Sequence, residues 1–168
     1  MKRLSKEWTS LQKEHRGLIE EYQSDIPVKI GAIAAHLGLE VKVATLDIGI
    51  SGMIMPVDND EKYKILVNKH EPNYRRRFTL SHEIAHYLLH RDLIGDGLKD
   101  NILYRSKLSD AREAEANRLA ADILMPPIQI KKWMESNSGL READAVSKLA
   151  EYFDVSEDAM RIRLGMKS

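Results

Sequence analysis

Residues 78–90 read F-T-L-S-H-E-I-A-H-Y-L-L-H, and this stretch constrains the chain more than any other. His82 and His86 are four residues apart, which puts both imidazoles on one helical face about one turn from each other. Two imidazoles so placed can reach a single zinc ion. Glu83 borders the same face and could act as a general base on the water at the metal's open position. Phe78, Leu80, Ile84, Ala85, Leu88 and Leu89 give the helix wide apolar surface, so it is expected to run through the interior. Inward-facing polar groups on a buried helix need partners. The bland alternative is satisfied core histidines at helical spacing.

Zinc on two histidines needs a third protein ligand. Asp92, ten residues after His82, fits the metzincin spacing. That pattern also needs a glycine six residues after the first histidine, and Leu88 stands there instead. Tyr87-Leu88-Leu89 reads as continued helix and carries Asp92 away. The gluzincin spacing puts a glutamate on a later helix, and S-D-A-R-E-A-E-A-N-R-L-A-A-D-I-L-M-P supplies one. Ser109 or Asp110 caps it, and Pro126-Pro127 stops it. Glu113, Ala116, Asn117, Ala120 and Leu124 form one stripe, with alanines small enough for a close helix approach. Glu113 then faces the metal, and Asn117 sits one turn on, placed to support a ligand. Glu115 is expected to point elsewhere. Alternatively, Glu113 and Glu115 are a solvated acidic face.

These paired motifs, with E-x-x-A-N at Glu113–Asn117, resemble the ImmA/IrrE family of bacterial and phage zinc metallopeptidases. I-A-A-H-L-G-L-E-V, I-S-G-M-I-M-P and Y-K-I-L-V-N extend the resemblance upstream, and it covers residues 26 to 165. The resemblance implies zinc on His82, His86 and Glu113 and Glu83 as base; the sequence leaves manganese open as the other ion. It also implies a protein substrate, a helix-turn-helix repressor encoded nearby and cut to relieve repression. Leu119 departs from the family's common Phe. A further DNA-binding-like domain, carried by many relatives, is not evident here.

The chain has 168 residues, which fits one domain with a sizeable core. Lys plus Arg and Asp plus Glu number 26 each, so no broad attraction to nucleic acid or anionic membrane is expected. Cysteine is absent, which rules out disulfides and thiolate metal sites. The first residues lack the apolar core of a secretory signal, and no run reaches the length of a membrane span. The expectation is a cytoplasmic protein.

A single helix over 4–23 is expected from Trp8, Leu11, Leu18, Ile19 and Tyr22. A second follows over 27–37, then strands over 40–46, 53–57 and 63–67. Pro56 marks the middle strand as an edge candidate, and Gly52, Met53, Ile54 and Met55 on it are candidates for binding extended substrate by strand addition. Arg75-Arg76-Arg77 is read as lying directly before the metal helix, paired with Glu71 or acids in the 92–100 loop, with contact to substrate as the alternative. Residues 92–108 read as a long loop beside the site. His90, Tyr104 and Arg105 are candidates for supporting the site or stabilising an oxyanion. Helices over 128–136, 141–153 and from Glu157 close the chain.

The expected fold is α+β, a small three-stranded, mostly antiparallel sheet beside a helical zincin-like core. One domain spans 1–168, with an N-terminal helix (1–24), the sheet and two metal helices (25–126) and a C-terminal helical segment (127–168). The expected function is a zinc endopeptidase. Its rivals are a non-catalytic metal-containing protein that sequesters a repressor or antitoxin, and a DNA reader built on residues 141–165.

Overall fold

Helix α4 (Asn73–Leu89) is the axis of the molecule. Residues Thr79 through His86 are buried without interruption, so every face of this stretch is covered. A helix can be buried all round only where other elements enclose it. The computed structural model describes residues 1–58, 61–101 and 109–166, the side chains of 99–101 apart. Among these, the enclosing elements are a sheet on one side and helix α5 (Asp110–Leu124) on the other.

The sheet holds β1 (Glu40–Ala44), β2 (Ile50–Val57), β3 (Lys62–Asn68) and β4 (Leu98–Asn101), in the order β1-β3-β2-β4. β1 runs parallel to β3, and the other pairings are antiparallel. The α+β class and the three expected strands are therefore present. The fourth strand is an addition, formed inside the stretch read as a long loop. Its sequence, L-K-D-N, carries no apolar alternation and so gave no strand signal.

β4 changes the status of β2. Gly52 pairs with Asp100, Met53 with Lys99 and Ile54 with Leu98, while β3 pairs along the other flank. β2 is an interior strand, not the expected edge. Pro56 lies beyond Ile54, the last residue paired to β4, so its missing N–H deletes no bond from that ladder.

Helix α4 begins at Asn73, earlier than expected, with Pro72 at its cap position. The arginine run is thus inside the first turns. Arg77 reaches Val28 O at 2.9 Å and the Asp154 carboxylate at 3.4 Å, not the expected acids. Glu71 instead accepts from Ser51 Oγ at 2.7 Å.

The N-terminal segment is two helices rather than one, α1 (Lys6–Ser10) and α2 (Lys13–Tyr22). Leu11 breaks them with extended backbone, φ −62° and ψ 147°. The break allows Trp8, Leu11 and Ile19 all to be buried. Ser5 caps α1 by accepting from Trp8 N, and Ser109 caps α5 by accepting from Arg112 N. After α3 (Ile30–His36) in the first half, α6 (Pro127–Ser136), α7 (Glu142–Phe153) and α8 (Glu157–Leu164) complete the chain. Ile130, Val146, Leu149, Phe153 and Met160 on these helices are buried in the core.

Both ends of the chain are fastened to α5. Glu7 takes two bonds from Arg118, at 2.7 and 3.0 Å. Asp122 accepts from Ser5 N and Oγ at 2.9 and 2.6 Å and from Arg163 Nη1 at 2.8 Å. Asp122 and Arg163 are both buried, so each is the other's compensation.

Two outcomes follow. Asp122→Ala leaves a buried guanidinium uncompensated and should lower unfolding free energy by about 3–5 kcal/mol, read as a shift of the urea midpoint. The Arg118 guanidinium holds Glu7 at about 2, below its ordinary 4.5. A depressed carboxyl stabilises the fold above its unfolded value and loses that contribution as pH falls through the folded one. Stability should decline from about pH 4.5 towards 2, and Glu7→Gln should flatten that part of the profile.

Candidate active site

Two stripes meet along the α4–α5 contact. On α4 the stripe is Phe78, His82, His86 and His90; on α5 it is Glu113, Asn117 and Ala121, each one turn from the next. The small residues of α5 permit the approach: Ser81 Oγ donates to Ala120 O at 3.2 Å across the interface. On the sheet side the approach is as close. A Cβ on Gly52 would lie 2.5 Å from Thr79 Cγ2 and 2.8 Å from Leu66 O, so only glycine lets β2 press against α4. The same point is 3.9 Å from Glu83 Oε1, which places the buried Glu83 carboxylate under β2.

His82, His86 and Glu113 converge. His82 Nε2 is 2.9 Å from His86 Nε2 and 3.1 Å from Glu113 Oε2, and His86 Nε2 is 3.5 Å from Glu113 Oε1. Zinc ligands at about 2.0–2.1 Å in tetrahedral arrangement stand about 3.3 Å apart. The three separations bracket that value, and the donor set of two imidazoles and one carboxylate suits zinc. Among the described residues, the metal-competent group consists of these three.

The other imidazole nitrogens fix the rings. His82 Nδ1 is 2.8 Å from Asn117 Oδ1. His86 Nδ1 is 3.0 Å from His90 Nδ1, and His90 Nε2 is 2.8 Å from Glu115 Oε2, which Arg112 also contacts at 3.1 Å. One tautomer set satisfies the bonds of the outward nitrogens and leaves both inward Nε2 atoms as lone pairs. His82 donates from Nδ1 to Asn117, His86 donates from Nδ1 to His90, and His90 donates from Nε2 to Glu115. Burial pushes the His86 imidazole below its ordinary value, with opposition from Glu113, so the neutral, metal-binding form is favoured. The hydrogen bond from His90, then that from Arg112, holds the Glu115 carboxyl below its ordinary value.

Residues 38–165 match the family model of the IrrE N-terminal-like domain, a peptidase family. The chain belongs to this family. No curated protein matches it. Among solved structures, a Mycobacterium tuberculosis transcriptional regulator is similar at 14% identity with a TM-score of 0.58, over 96% of this chain and 49% of the other. The chain thus spans about half the length of that regulator, and the likeness is one of fold.

Within this IrrE N-terminal-like domain, the structure brings His82, His86, Glu113 and Asn117 together and sets Glu83 beside them on α4. His90 has both ring nitrogens engaged, which removes it as an oxyanion donor and makes it a support for His86. Gly52 and Ile54 are buried, and β4 covers their flank, so extended substrate has no free strand to join at Gly52–Ile54. Met53 and Met55 are half-buried on the same strand. Tyr104 and Arg105 lie outside the described residues. Glu115 is the residue the sequence reading missed. A third histidine four residues past His86, needing an acceptor of its own, was the available signal.

His90→Phe should keep the fold, with an unchanged circular dichroism spectrum. It should weaken zinc affinity by about 10–100-fold, measured by competition with a chelating dye.

Proposed function

We propose that the chain is a metal-dependent endopeptidase, with zinc the ion that fits and manganese the alternative, acting on a transcriptional repressor of the helix-turn-helix type. The observation that carries this reading is the group His82, His86 and Glu113, three ligands among the described residues, with Glu83 on the same helix. A structural zinc site is closed by a fourth protein ligand, whereas a catalytic one keeps a position for water or substrate.

Bound at His82, His86 and Glu113, zinc would supply Lewis acidity, making water more acidic and polarising a peptide carbonyl. The chain's residues divide the remaining work. Asn117 and His90 hold the two ligand imidazoles in one tautomer. Glu83, on the same helix, takes the proton from the attacking water and returns it to the leaving amine. Its burial under β2 keeps it away from competing solvent.

The structural neighbour is named a transcriptional regulator, which supports a place in transcriptional control. Reading DNA directly through α7 and α8 has less support. Of the two basic residues on α8, Arg163 is 4% exposed and spent on Asp122. No helix among the described residues is long and apolar enough to cross a membrane.

The test is metal analysis together with cleavage of a helix-turn-helix repressor, taken from a neighbouring gene where one is encoded. Glu83→Gln should retain metal and lose about 10²–10⁴-fold in cleavage rate. His82→Ala should lose both. Wild-type chain that holds metal and never cuts would make this a sequestering protein instead.

A further inference from the structure

A cavity adjoins the metal-competent group through Asn117, which bonds His82 and also lines the cavity. Its volume is about 400 Å³, and Phe78 and Ala121, one helical turn from His82 and Asn117, line it. Phe78, Ala121 and Met125 form an apolar floor, and Ala159 and Ile162 of α8 form a wall. Ile162 is 55% exposed, an apolar side chain left facing solvent on that wall.

The charged lining is mostly positive. Lys2, Arg3, Arg118 and Arg163 line the cavity, and Asp122 is the one acid among its described lining residues. The Asp122 charge is already met by Arg163 and Ser5, and the Arg118 charge is shared with Glu7. That leaves Lys2 and Arg3, both exposed, as positive charge at the rim. Their position is fixed: Lys2 N donates to Arg163 O at 2.9 Å, and Ser5 is bound to Asp122. In the wall, the buried Arg163 Nη2 has no acceptor. A chain whose total charge is zero has thus concentrated cations around an apolar recess.

We propose that this cavity is the substrate-recognition pocket of the site, and that it takes an apolar side chain flanked by carboxylates. The proposal rests on the peptidase reading and names the peptide chemistry it would select. The apolar body fills the floor between Phe78 and Ile162, and the neighbouring carboxylates meet Lys2 and Arg3. The N-terminal segment and α8, which lie outside the metal site, thereby acquire a role in choosing what is cut.

The test uses short fluorescein-labelled peptides in a Gly-Ser host with Leu-Glu-Glu, Leu-Lys-Lys or Ser-Glu-Glu at the centre. Binding is read by anisotropy against the Glu83→Gln chain with zinc present, so hydrolysis does not intervene. Leu-Glu-Glu should bind about tenfold or more tighter than either control. Ile162→Glu should erase the advantage over Ser-Glu-Glu, and Lys2→Glu with Arg3→Glu should erase that over Leu-Lys-Lys. All three positions are exposed or half-exposed, and thermal melts check that folding is kept. Equal binding of the three peptides, or a preference that survives both variants, overturns the pocket. Wild-type cleavage of the same peptides is followed separately. Its absence counts against the peptidase reading, while the binding comparison decides the pocket on its own.

Discussion

The burial of ionisable groups on α4 governs everything else in this molecule. A helix that carries two imidazoles and a carboxylate into its own core has taken on a large desolvation penalty. Hydrogen bonds to the outward ring nitrogens meet part of it. Each neighbour of α4 answers part of that demand. α5 supplies Glu113 and Asn117 to His82 and His86, and Glu115 through His90. β2 supplies a glycine against Thr79, where any side chain would hold the sheet away.

Because the ligand separations depend on where α5 lies, its position is fixed from outside the site. Glu7 grips Arg118, Ser5 and Arg163 grip Asp122, and Gln23 donates to the carbonyls of Asp122 and Ile123 at 2.9 Å each. These bonds come from both termini and reach the α5 face that turns away from Glu113. Arg118, Asp122 and Arg163, which brace α5, also line the cavity beside Phe78 and Ile162.

Much of this was legible in the sequence. H-E-x-x-H gave α4 and two ligand candidates because helical spacing alone puts residues i and i+4 on one face. The alanine stripe with Glu113 and Asn117 gave α5, since small residues at that period imply a close helix pair. Ser109 and the Pro126-Pro127 stop set the bounds of α5 through local hydrogen bonding and backbone restriction. The places where local reading failed are those where distant partners decide. Residues 4–23 have one amphipathic period, yet they break at Leu11 so that Trp8, Leu11 and Ile19 can all reach a core built by other elements.

The sequence by itself determined the chemistry of this protein: which side chains are donors, which helix carries each and which residue types could hold zinc. Only the tertiary structure decided the rest. That β4 closes the flank of β2, that His90 and Glu115 continue the hydrogen-bond chain from His86, and that Arg163 turns inward to Asp122 are all relations between segments far apart in the chain. No periodicity encodes them, because they arise from how packed elements share the burial of polar groups, and that sharing is settled only when the whole core has formed.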